Sequence, residues 1–146
     1  MDRLVRPGQE HRADSVLVYF AMRLGVEHGW QPAGTGPPPD WNNETWESWD
    51  DADYWSGLGQ WVTDEDAREW ASALRHALDD IPDENLMLYR ASYLTFGSTG
   101  FESPMKRAER MKKIPLAEVF SGDGKKWLTT LIEFLEHGGF RLFWGN

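Results

Sequence analysis

Between Thr63 and Pro82 apolar residues return at every third or fourth position: Ala67, Trp70, Ala71, Leu74, Leu78 and Ile81. That period is one face of an α-helix, and such a face folds only against a second apolar surface. Thr63 can accept from the free N–H groups of the first turn, Asp64, Glu65 and Asp66 suit the positive end of the helix dipole, and Pro82 stops the pattern. A second stripe, Trp127, Leu128, Leu131, Ile132, Phe134 and Leu135, follows Asp123 as N-cap and ends at Gly138-Gly139, residues that supply the left-handed conformation of a helix terminus. Asp14 to Glu27, with Val16, Leu17, Tyr19, Phe20, Leu24 and Val26, suits a third helix capped by Asp14 and frayed by Gly25 and Gly29, although its β-branched and aromatic content leaves a strand open. The alternation of Phe140, Leu142 and Trp144 predicts a short C-terminal strand without a long partner. The expected fold is therefore mainly α (α+β), with helices near 14–27, 63–80 and 123–137 packed around Trp70, Leu74, Leu78, Leu128, Leu131, Ile132 and Leu135.

The remaining segments are less regular. Residues 1–13 are polar and broken by Pro7-Gly8, which predicts a flexible arm ahead of one globular domain at 14–146. Gln31 to Asp40 holds four prolines and two glycines, so it runs as an extended strap, with Trp30 filling a gap in the core. Leu86 to Phe101 fits a hairpin or an irregular loop equally well. Met105 to Lys113 reads as a short basic amphipathic stretch stopped by Pro115. The strongly apolar run Val16 to Met22 is far shorter than the roughly 20 residues that span a bilayer. No cysteine is present, which excludes disulfides and thiolate chemistry. A cytoplasmic protein without membrane association is expected.

Five of the nine tryptophans fall between Trp41 and Trp61, interleaved with acids and without a Lys or Arg before Arg68. Indole supplies area, a π-face and one N–H donor, so rings beside carboxylates make either a loop pinned to its own core or a recognition surface. The candidate partner-binding or ligand-binding residues are Trp41, Glu44, Trp46, Glu47, Trp49, Asp50, Asp51, Asp53, Tyr54 and Trp55. As an interface, they would engage a basic protein partner, as an immunity-type or antitoxin-type protein does, with tryptophan dominating affinity and carboxylates steering the encounter. As a pocket, they would hold a sugar or a cation, with hydrolysis open to a carboxylate whose burial against indole keeps it protonated.

No catalytic residue, metal or cofactor is assigned. His11, His28, His76 and His137 lack ligand spacing, and the pairing of His76 with Asp79 and Asp80 is that of ordinary surface neighbours. Gly57-Leu58-Gly59-Gln60 lacks the Lys-Ser/Thr of a phosphate loop and reads as a turn. Ser56-Gly57 is not a Gly-x-Ser-x-Gly elbow. An enzyme is thus less expected than a binding protein.

The net charge of −9 is uneven: residues 40–54 carry −6, residues 64–84 carry −6 and residues 106–113 carry +4. An acidic chain repels phosphate backbones, which disfavours nucleic acid. The basic stretch folds against an acidic face of the same molecule or of a second copy, and a monomer is favoured over a homodimer.

Gly29-Trp30-Gln31-Pro32-Ala33-Gly34-Thr35, Gly59-Gln60-Trp61-Val62, Asp66-Ala67, Phe134-Leu135 and Gly138-Gly139-Phe140 together give the chain a likeness to a group of small uncharacterised bacterial proteins. Where that pattern has Tyr-x-Asn-x-Gly-Gln, this chain has Trp55-Ser56-Gly57-Leu58-Gly59-Gln60 and lacks the asparagine. The resemblance implies an accessory bacterial protein and carries over no catalytic residue.

Overall fold

The computed structural model describes residues 2–34, 54, 58–86 and 115–143. In chain order the elements are strands β1 (Asp2–Arg6) and β2 (Gln9–Ala13), helix α1 (Ser15–Glu27), strand β3 (Leu58–Val62), helix α2 (Asp64–Leu78), a one-turn helix α3 (Leu116–Val119), helix α4 (Asp123–Glu136) and strand β4 (Phe140–Phe143). The fold is α+β, with an antiparallel sheet in the order β2-β1-β4-β3.

The three long helices lie where periodicity places them. Asp14 Oδ1 accepts from Val16 N–H at 2.9 Å and Leu17 N–H at 3.2 Å, and Thr63 Oγ1 accepts from Asp66 N–H at 3.1 Å. The expected core residues Trp70, Leu74, Leu128, Leu131, Ile132 and Leu135 are fully buried, and Leu78 packs half-buried at their margin. Asp123 does not cap α4; Gly122, at φ +57°, holds the cap position without a side-chain bond. Gly25 does not fray α1 either. It lies buried inside the helix, where a Cβ would stand 2.7 Å from the Trp70 ring. The missing side chain lets that indole reach the helix backbone and donate to the Ala21 carbonyl at 3.0 Å.

Residues 2–13 form a β-hairpin and not a free arm. Asp2, Leu4 and Ala13 are buried, and Arg3 and Arg12 alternate outward. Pro7-Gly8 is the turn, because proline fixes its own φ and Gly8 takes φ +78°. The C-terminal strand has two partners: β1 pairs it on one side and β3 on the other, which makes β4 interior to the sheet. Leu58 to Gln60 belongs to β3 and not to a turn; the register slips between Leu58 and Gln60, as a glycine-marked bulge does.

The inner sheet face meets α4 through Phe134. The Phe140 ring lies edge-on to it at 5.5 Å, the His11 ring tilts over it at 5.4 Å, and the Arg6 guanidinium carbon sits 3.9 Å from its centre. Arg6 also donates to the Phe134 carbonyl at 2.5 Å and the Gly138 carbonyl at 3.0 Å. A strand residue thereby adds a second donor to the Phe134 carbonyl, which also accepts from His137 N–H at 3.3 Å, and supplies one to the Gly138 carbonyl just past α4, with its positive charge at the negative end of the helix dipole. Burial draws the Arg6 pKa below its ordinary value, and nearby Asp64 opposes that shift.

Candidate functional site

Asp66 occupies the first turn of α2 and is 1% exposed. Its Oδ1 accepts from Ala33 N–H at 3.0 Å, and its Oδ2 accepts from Gly34 N–H at 3.0 Å and from the Tyr54 hydroxyl. Three neutral donors and the positive end of the helix dipole stand where a buried carboxylate would otherwise need a cation. Burial, the bond to Asp66 and the negative charge of Asp66 together raise the Tyr54 pKa, so the phenol stays neutral and keeps donating.

The rings above this carboxylate are stacked. Trp30 lies between Tyr54 and Trp70, with centroids 6.2 and 4.9 Å away and interplanar angles of 8° on both sides. All three rings are buried. The strap at Gln31 to Gly34 is therefore held twice, by the Trp30 stack and by its own N–H groups on Asp66. Trp30 fills the core as the strap reading expects.

The consequence concerns the acidic, tryptophan-rich segment. Gly34 lies on its N-terminal side and Tyr54 near its C-terminal end, and both donate to one carboxylate oxygen. The chain leaves for residues 35–53 and comes back from them at the same atom. Of the candidate residues, Trp41, Glu44, Trp46, Glu47, Trp49, Asp50, Asp51, Asp53 and Trp55 lie outside the described residues. Tyr54 is described, and at 2% exposure it is an anchor in the core and not a surface contact. The basic stretch at 105–113 and residues 87–101 also lie outside the described residues.

The neighbouring acids serve the fold. Asp64 Oδ1 accepts from Gly139 N–H at 2.5 Å, which ties the start of α2 to the entry of β4. A Cβ on Gly138 would come within 2.6 Å of that oxygen, so this turn has room for glycine alone. Asp80 does not pair with His76: it lies 3.4 Å from His28 Nε2, while His28 Nδ1 meets the Leu24 carbonyl at 3.0 Å. His11, half-buried against Phe134, has its pKa lowered by burial. Among the described residues, no group of three or more His, Asp or Glu side chains could hold a metal ion, and no helix is long and apolar enough to cross a membrane.

Sequence reasoning placed Asp66 at the dipole of α2 and missed its link to the strap. No local pattern marks that link, because Gly34 and Tyr54 lie 32 and 12 residues from Asp66. Comparison with family models, with curated proteins and with solved structures finds no match.

Proposed function

We propose that this chain is a non-catalytic, cytoplasmic binding protein that uses its acidic, tryptophan-rich segment at 40–55 to engage a basic protein partner, in the manner of an immunity-type or antitoxin-type protein. One observation carries the reading: Asp66 holds Gly34 and Tyr54 on the same carboxylate oxygen. Fixing both flanks of a segment lowers the entropy lost when it binds, which favours affinity without any new contact. A −6 charge in residues 40–54 gives that segment the sign to attract a basic surface. Its indoles are the residue type that most often dominates interface energy.

The test is capture from the native host with the full chain as bait, at low and at high ionic strength. A partner retained at low salt, weakened at high salt and lost with Glu47→Gln and Asp50→Asn supports the reading. Recovery of no partner under either condition removes it. A saturable tryptophan-fluorescence response to a sugar or a cation, abolished by the same substitutions, would replace it with a ligand pocket.

A further inference from the structure

Strand β2 is an edge of the sheet: β1 pairs it on one side, and no strand among the described residues pairs it on the other. Which of its backbone groups point outward follows from the turn. Pro7-Gly8 is a two-residue turn, so Arg6 and Gln9 form the hydrogen-bonded pair that closes the hairpin, and bonded pairs then alternate along the antiparallel ladder. Gln9, His11 and Ala13 therefore direct their N–H and C=O groups to β1, while Glu10 and Arg12 turn theirs to the open side. The side chains of those same two residues are 38% and 66% exposed.

An open row of N–H and C=O groups can pair with an extended chain, and the side chains beside it decide which chain. On β2 the charges match their own reverse. When a second copy of β2 runs antiparallel with His11 opposite His11, Glu10 lies opposite Arg12 and Arg12 opposite Glu10, at the two positions whose backbone groups are open. The neighbouring registers that also bring open groups together set Glu10 against Glu10 or Arg12 against Arg12, which like charges oppose. Charge thus singles out one register, and a two-fold axis closes it. His11 at that axis adds no repulsion at neutral pH, because burial against Phe134 holds its pKa below the ordinary value. The other edge strand, β3, carries no charged residue to make such a selection.

Within one chain Arg12 stands directly opposite Arg3, a like-charge pair that weakens a sheet, and Glu10 offsets it only through exposed contacts of 3.6 Å to Arg3 and 3.5 Å to Arg12. Pairing of two copies gives each Arg12 a carboxylate on its other side. We propose that the protein forms a two-fold symmetric dimer by antiparallel pairing of β2 with β2 of a second copy, in the register that sets Glu10 opposite Arg12. Five-residue strands meeting edge to edge bury far less than the roughly 1,200–2,000 Å² of a stable interface, so the association is weak and reversible, and the dilute protein is a monomer. The hairpin is separate from the acidic segment at 40–55, so the dimer and the partner reading can fail independently.

Sedimentation equilibrium of the full chain, from micromolar to millimolar concentration, tests the pairing. A reversible equilibrium of monomer and dimer is expected. Glu10→Arg and Arg12→Glu each set like charges opposite each other in the pair, and each variant alone should stay monomeric. Mixed in equal amounts, the two variants carry opposite charges at both pairs and should dimerise, which a merely weakened fold could not do. Melting temperatures equal to that of the parent show that both variants fold. Should either reversal lower the melting temperature, Arg12→Gln, which only neutralises an exposed side chain, should raise the dimer Kd about tenfold by weakening both symmetric pairs. A parent chain that stays monomeric at every concentration overturns the proposal. So does a dimer that these substitutions leave intact, which would place the interface elsewhere on the chain. A mixture of the two folded reversal variants that remains monomeric overturns it as well.

Discussion

A single carboxylate does the work of several contacts at Asp66, because each of its three partners belongs to a different stretch of backbone than its own helix. Tyr54→Phe removes one donor from a buried charge and keeps the ring stack. Hydrogen bonds to charged groups contribute about 1.5–3 kcal/mol, and a loss on that scale in urea denaturation is the expected outcome. A stability equal to that of the parent chain would show that the phenol contributes nothing. Gly25→Ala tests the neighbouring contact with an unusual sign. Alanine favours an isolated helix over glycine by about 0.8–1 kcal/mol, yet here its Cβ would meet the Trp70 ring at 2.7 Å. Overpacking costs about 1–3 kcal/mol, so the substitution should lower the melting temperature despite the better helix former. None of this was legible in the chain alone: Gly25 looks like a helix breaker until the ring it accommodates is known, and Asp66 looks like one of three equivalent acids.

Elements were legible in proportion to how local their causes are. Helices α1, α2 and α4 are written in apolar spacing and in the caps Asp14 and Thr63, which act within one turn. The hairpin β1–β2 was misread because five-residue strands carrying Arg, Glu and Gln look like solvated chain, although Pro7-Gly8 was a turn signal in plain view. What takes the hairpin into a sheet is β4, which pairs β1 from more than a hundred residues away, and no window of sequence contains both. Removal of residues 1–13 gives a sharp test at this scale. A frayed arm would be dispensable. A hairpin that buries Leu4 and caps α4 through Arg6 is not, and the shortened chain should lose cooperative thermal unfolding. An unchanged melting curve would contradict the sheet.

Across the whole molecule, burial of His11 links stability to pH. Its pKa is lowered in the folded state from an ordinary value of 6.5, so the unfolded chain takes up the proton first as pH falls. Stability contributed by neutral His11 is complete above that ordinary value and declines below it, until the folded protein binds the proton as well. Chemical denaturation at a series of pH values between neutrality and mild acid should show this slope, and His11→Leu should flatten it. A parent and a variant with parallel profiles would assign the acid sensitivity elsewhere. The acidic candidate site itself was legible as composition and charge, since both are sums over residues; its anchoring was not, because Asp66 and Tyr54 meet only once the strap, the helix and the ring stack exist together.

The interior position of β4 has a consequence for the chain during its own synthesis. Arg6 and the Phe134 carbonyl it bonds on α4 are separated by 128 positions, and β4 follows later still. At translation rates of about 5–20 residues per second, the hairpin made first waits roughly ten seconds before its neighbouring strand exists. Throughout that interval β1 has a partner on one side and an open ladder on the other, with Leu4 uncovered. Nascent chains of this protein are thus most exposed to mispairing and to chaperone capture before α4 and β4 emerge, and the finished sheet closes in a late, long-range step.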